Sequence, residues 1–252
     1  MPNQKDENNL QKEVGTSEGG STLYKYTDSG DVSWRPPVAY GVYAEEVEAH
    51  FAALFPGRES SVFHELVSDL VHIDVHIMRP TAERAFFVIF TTGMSDLAMT
   101  LPEGIAEEHR DLERAELFMM LPPDWDPGDA YQTTADIPYE QFWPVQLIKY
   151  LARFPHEYRT WLGWGHTIPN GPDYSPILDD SGMGGVVLLE PGADFSPLTT
   201  EEGTPIHFYM TMPAYKEEIE YKLEQGMSAL DDLFAERDLP LVVDMYRENY
   251  CK

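Results

Sequence analysis

The sequence predicts an α+β fold: mixed, mainly antiparallel sheet(s) flanked by three or so helices. Three observations lead there. Short β-branched and aromatic runs cluster in the middle of the chain. Helical periodicity interrupts them at irregular intervals, and no regular alternation of strand and helix is visible. The length of 252 residues corresponds to between one and two domains at about 150 residues each. With no internal repeat and no interior linker, the expectation is a disordered polar leader over 1–30 and a single ordered domain over 31–252.

The elements follow in order. Residues 1–30 are polar, interrupted by Gly15, Gly19 and Gly20, and hold few large apolar groups. From Tyr43 to Phe55, Val47, Phe51 and Leu54 recur at helical spacing behind Glu45, Glu46 and Glu48, and Pro56-Gly57 stops the helix. Val62–Leu66, His72–Met78, Phe86–Thr92 and Ala115–Leu121 read as strands, and 123–138, rich in Asp, Pro and Gly, reads as a loop. A second helix is expected from Pro144, since proline suits the first helical position, and Pro155 marks its end. Strands are expected at Val186–Glu190 and Ile206–Met212. Pro213 then opens one long acidic helix with Ile219, Leu223, Met227 and Leu230 as its apolar stripe. Pro240 ends it, and Leu241–Asp244 adds a short final strand.

Charge excludes several functions. Seventeen basic residues against 44 acidic ones give a net charge of −27. That field repels phosphate backbones, so neither nucleic acid nor an anionic membrane is an expected partner. The 131 residues between Arg84 and Lys216 carry 20 carboxylates and only five basic side chains, and 160–215 has no Lys or Arg. A field this one-sided speeds encounter with a cationic partner, although a surface tuned for solubility would look the same. The longest apolar runs are five or six residues, as at Leu117–Leu121 and Ala85–Phe90, against the roughly 20 of a membrane-spanning helix. The leader has no secretory apolar core, and the one cysteine, Cys251, permits no intrachain disulfide. A cytoplasmic acidic protein is expected.

Few chemical motifs survive inspection. His72-Ile73-Asp74-Val75-His76 places His72, Asp74 and His76 on one face of a strand, and two imidazoles with a carboxylate could begin a zinc or iron site. The outer two are about 13 Å apart along a strand rising 3.3 Å per residue, so all three cannot converge unaided. Two would need help from elsewhere, such as His64 or His166, and a structural hydrogen-bonding face fits the pattern better. Asp124-Trp125-Asp126-Pro127-Gly128-Asp129 departs from a calcium loop, with Gly128 fifth and Asp129 sixth. Gly182-Met183-Gly184-Gly185 precedes a strand, not a helix, so it cannot cradle phosphate in the dinucleotide manner. Gly93-Met94-Ser95-Asp96 lacks the second glycine of a nucleophile elbow. The residues nominate no cofactor. Trp143, Trp161 and Trp164 flank the second helix as core, or where exposed as interface anchors.

One family resemblance is visible across about residues 35–247. The run Phe86-Phe87-Val88-Ile89-Phe90-Thr91-Thr92-Gly93-Met94-Ser95-Asp96 resembles the strand and glycine–x–serine–aspartate turn of the Suppressor of fused family. Similar segments follow in the family's order: Glu116 to Leu121, Trp143-Pro144 into Leu151-Ala152-Arg153, and Gly165-His166-Thr167-Ile168. Val187-Leu188-Leu189, Thr204-Pro205 running on to Glu217-Glu218, and Val243-Asp244-Met245 complete the series. The resemblance implies a binding protein without catalysis. Animal members are two-domain cytoplasmic regulators of Hedgehog signalling that sequester zinc-finger transcription factors, the partner peptide adding as a strand between the domains. This chain resembles the N-terminal domain. Single-domain bacterial relatives are proposed to be immunity proteins that neutralise toxins. The expected partner is therefore a protein or extended peptide, cationic in character, met by an acidic face. Asp96, Glu116, Asp124, Asp126, Asp179 and Asp180 are the candidate contacts. The alternative is a metal-dependent hydrolase centred on His72, Asp74 and His76.

Overall fold

A computed structural model describes residues 10–27, 34–128, 138–190 and 192–252. In chain order its elements are β1 (Gln11–Thr16), β2 (Thr22–Tyr26), α1 (Ala44–Leu54), β3 (Ser60–Phe63), β4 (Asp74–Met78) and β5 (Phe87–Thr92). Next come α2 (Glu103–Glu108), β6 (Ala115–Leu121), α3 (Tyr139–Glu157), β7 (Thr167–Pro169), β8 (Met183–Leu189) and β9 (Leu198–Thr199). The last are β10 (Pro205–Tyr215), α4 (Lys216–Gln225) and α5 (Met227–Glu236). This is the mixed α+β architecture expected.

The main sheet runs in the order β3-β4-β5-β6-β10-β8-β7, with β9 added on β10. Every neighbouring pair is antiparallel except β6 and β10, which run parallel over four residues, His207 opposite Ala115 through Met210 opposite Phe118. β5, β6 and β8 are buried along their whole length. Their near-continuous apolar sequences follow, because a strand covered on both faces has no polar positions to alternate. On one face α1 lays Phe51 on Phe90, with ring centroids 4.0 Å apart, and against Phe118 and Phe208. Phe63 points away from that face, since it pairs with Val75 while the neighbouring His76 stacks on Phe90. Phe142 of α3 meets Phe63 at 5.0 Å, so α3 covers the opposite side. α4 approaches β8 at Gly185, where an added Cβ would lie 2.6 Å from Ile219 Cδ1.

Prolines cause the main departures from sequence expectation. Pro144 lies inside α3, which starts five residues earlier. Phe142 and Trp143 are buried, and their burial outweighs the backbone hydrogen bond that Pro144 cannot donate. Pro213 does not open a helix but continues β10 opposite Val186. It lies beyond the end of the β6 pairing, where no ladder bond is asked of its nitrogen, and its carbonyl accepts from Arg247 Nη2. The expected single acidic helix is two, because Gly226 at φ +91° breaks it. That break is a docking point: Gly19 donates its N–H to Leu223 O at 2.7 Å, and a Cβ on Gly19 would overlap Gly226 N.

The leader also departs from expectation. Its described part, 10–27, is an antiparallel hairpin instead of a disordered segment. Tyr26 supplies the missing driving force, packing its ring on Phe154 and Tyr158 and its hydroxyl on Thr160 Oγ1. The expected strand at Leu241–Asp244 reduces to one parallel bridge, Met120 to Val242, with Val243 N–H donating to Met120 O. β7, β9 and α2 have no counterpart in the sequence reading, and most of the expected 123–138 loop lies outside the described residues.

The tail beyond this bridge is fixed by a buried ion pair. Arg247 reaches Glu218 through Nη1–Oε1 at 2.5 Å and Nη2–Oε2 at 2.6 Å, with both side chains almost wholly buried. The same carboxylate accepts the Tyr215 N–H and so caps α4, and the guanidinium lies over Tyr215, Phe234 and Tyr250. Arg247→Ala should lower the unfolding free energy by about 3–5 kcal/mol, because Glu218 is left buried without its partner. Replacing both residues by Met should recover most of that loss in urea titrations. A single-variant loss below about 1 kcal/mol would show that the pair does not hold the tail.

Candidate protein-interaction surface

The glycine–x–serine–aspartate turn after β5 is built around a buried carboxyl. Gly93 has φ +100°, and a Cβ there would overlap the His72 carbonyl oxygen, so only glycine fits. The turn aims Ser95 N–H and Ser95 Oγ at Glu116 Oε1, at 2.9 and 2.6 Å, while Thr91 Oγ1 donates to Oε2 at 2.6 Å. Glu116 is wholly buried, and burial pushes its carboxyl up to about 7 against the pull of these donors. Asp96 is also buried. Its Oδ1 accepts the Tyr43 N–H, and burial raises its pKa. Both therefore brace the interior, and neither offers an accessible carboxylate to a partner.

The other four candidates are exposed. Asp124 and Asp126 follow β6, where Trp125 Nε1 donates to Gln141 O in the first turn of α3. Asp180 accepts the Tyr246 hydroxyl at 2.9 Å, and Tyr246 N–H donates to Asp244 Oδ1. Burial and then the charge of Asp179 raise the pKa of Tyr139, at the start of α3, which places that carboxylate on the same edge. Asp124, Asp126, Asp179, Asp180 and Asp244 thus lie on connected segments around the exposed rings of Tyr139 and Tyr246. The sequence reading missed Tyr139, Asp244 and Tyr246. They sit far apart in the chain and no local pattern joins them.

A second surface borders β3, an edge strand of the sheet among the described residues. Trp34 donates Nε1–H to Ser68 O at 2.7 Å, and Tyr40 packs at a tilt on His72 with ring centroids 4.1 Å apart. The two segments so joined expose Trp34, Val38 and Tyr40 beside Val67 and Leu66, the last 95 % exposed. Leu66 was expected to lie in a strand, but β3 ends at Phe63. Beneath this loop, Glu65 accepts from Lys149 at 2.8 Å and from Arg153. Burial raises its pKa, but these hydrogen bonds outweigh it and hold the carboxyl below its usual value.

His72, Asp74 and His76 share one face, as the alternation predicts, but as a hydrogen-bonding cluster. His72 precedes β4, and its Nε2 stands 3.0 Å from Asp74 Oδ1 without hydrogen-bond alignment, while His64 Nδ1 meets Asp74 Oδ2 at 2.9 Å. His76 bonds to Thr92 Oγ1, opposite Asp74, at 3.0 Å and lies 3.9 Å from Glu48 Oε1, and burial pushes its pKa down to about 4. His166 lies elsewhere, against Trp161. Among the described residues no group of three His, Cys, Asp or Glu could hold a metal ion. No helix among them is long and apolar enough to cross a membrane.

Comparison with known proteins adds family context. The family model described as Suppressor of fused protein matches residues 69–248. A search of curated proteins finds no match. Among solved structures, a Suppressor of fused homolog from Neisseria gonorrhoeae superposes with a TM-score of 0.58 at 14% identity, covering 82% of this chain and 96% of that one. A chain of the Sufu-Fu complex gives 0.57 at 14% identity, covering 82% and 91%. Drosophila Suppressor of Fused gives 0.56 at 15% identity, and the match spans 81% of this chain but 50% of that one. Identities this low speak for the fold alone.

Glu116 gives a pH signature. Because its folded pKa of about 7 exceeds that of the unfolded chain, the folded state holds a proton that the unfolded state has released. The stability it contributes is full below the ordinary glutamate pKa and is lost as pH rises through 7. Glu116→Gln lacks this proton. The melting temperature of the wild type minus that of the variant should therefore fall steadily between about pH 5 and pH 8. A flat difference would mean that the carboxyl stays ionised throughout.

Proposed function

Since this chain belongs to the Suppressor of fused family, we propose that it is a non-enzymatic protein-binding module that holds a basic or extended segment of a partner protein. The observation that carries this reading is the exposed acidic edge of Asp124, Asp126, Asp179, Asp180 and Asp244 around Tyr139 and Tyr246. Carboxylates there attract Lys and Arg over a distance, and the rings offer flat apolar anchors with polar tips. The chain's charge of −27 extends that field. The edge of β3, unpaired among the described residues and bordered by Trp34, Tyr40, Leu66 and Val67, offers backbone groups onto which an extended peptide would add as a further strand. One structural relative was solved as the Sufu-Fu complex, and for this chain partner binding is our reading.

The finer role that fits is neutralisation of a basic toxin or sequestration of a regulatory protein. An acidic inhibitor mimics the phosphates that a nuclease binds and captures it quickly. A cytoplasmic setting suits the lone thiol of Cys251.

A pull-down from native lysate at low and moderate salt, followed by mass identification of what elutes, tests the reading. A basic protein released as salt rises is expected. Replacing Asp124, Asp126, Asp179 and Asp180 together by Asn should slow its association at low salt by about tenfold or more, with little change in melting temperature. A partner that binds the quadruple variant as fast as the wild type would remove the acidic edge from the mechanism.

A further inference from the structure

Lys222 is a cation with no counter-charge among the described residues. It sits in the last turn of α4 with 6% of its surface exposed, and no ion pair or hydrogen bond to its side chain is found among the described residues. Burial lowers its pKa, and no neighbouring carboxylate offsets that effect. In a chain carrying 44 acids, an ammonium on so confined a side chain with no carboxylate beside it among the described residues is an anomaly, and its Nζ keeps contact with solvent.

The side chain lines a pocket of about 250 Å³ enclosed by the β1–β2 hairpin, the 161–166 loop and the junction of α4 with α5. Trp161, Trp164 and Tyr24 supply aromatic walls, and Thr22 adds a hydroxyl. His166 stands beside Lys222 and packs edge-on to Trp161 with ring centroids 4.4 Å apart. Burial, followed by the charge of Lys222, pushes His166 down to about 4, so it faces the pocket as a neutral imidazole. The hairpin wall is fixed, since Gly19 bonds to Leu223 O one residue from Lys222.

We propose that this pocket binds a small aromatic carboxylate, with the carboxylate on Lys222 Nζ and the ring between Trp161, Trp164 and Tyr24. The volume lies just below the roughly 300–1,000 Å³ of drug-sized sites, which limits the ligand to one ring or a fused pair. A single cation matches a monoanion. A phosphate ester carries close to two charges at neutral pH and asks for more donors than one ammonium supplies. The site stands apart from the acidic edge and does not depend on the protein-binding reading.

The test uses the full chain, labelled with ¹⁵N, titrated with phenylacetate and indole-3-acetate and with the neutral isostere phenylacetamide. Saturable shifts of the Trp161 and Trp164 indole N–H signals are expected with the acids, at about tenfold or greater preference over the amide. Lys222→Met should abolish that preference while its ligand-free melting temperature equals or exceeds that of the wild type. The comparison of acid with amide on the wild type decides the matter even if the variant folds poorly. No saturable shift with either acid at millimolar concentration, or equal affinity for acid and amide, would overturn the proposal.

Discussion

The architecture hangs on four residues of parallel pairing. β6 and β10 join two antiparallel halves, β3 to β6 on one side and β10, β8 and β7 on the other. Their ladder stops at Met210 and Phe118, while both strands run on. The C-terminal tail fills the gap: Val243 bonds to Met120, Arg247 to the Pro213 carbonyl and, through Glu218, to the cap of α4. A buried ion pair is a poor source of net stability, but it specifies geometry, because any other position of the tail strands a charge out of water. Here it fixes where the tail lies along the seam.

The sequence made the central strands legible for a physical reason. Phe87–Thr92 and Ala115–Leu121 are apolar nearly throughout because both faces are covered, and such runs resist confusion with amphipathic helix. Prolines misled where tertiary packing overrode their local preference. At Pro144 burial of Phe142 and Trp143 decided the helix start, and at Pro213 the missing donor faced a gap that Arg247 partly occupies. The hairpin at 11–26 was hidden because its stability comes from Tyr26 resting on α3, a contact more than a hundred residues away in the chain. The break at Gly226 was readable in principle, since glycine interrupts the apolar stripe there.

The candidate site was legible by charge and illegible by position. Composition pointed to carboxylates as partner contacts, and Asp124, Asp126, Asp179 and Asp180 are on the surface. Glu116 looked the same in the sequence, yet it is a buried hub for Thr91 of β5 and Ser95 of the turn that follows. Only pairing partners distinguish the two kinds. His72 and His76 show a related limit: alternation rightly assigned both to the face of Asp74, but it could not name their partners, Ser68 for His72 and Thr92 for His76.

The seam also orders the history of the molecule. β3 to β6 are neighbours in sequence as well as in the sheet, whereas 83 residues separate Leu121 from Pro205. Synthesis therefore delivers the first half-sheet early and leaves the β6 edge, apolar and unpaired, until β10 emerges. Closing so long a loop adds little free energy, since the entropy grows only with the logarithm of its length, but the delay exposes a strand edge suited to pairing with another chain. Nascent copies of this protein are thus most vulnerable to one another in the interval before β10 has been made.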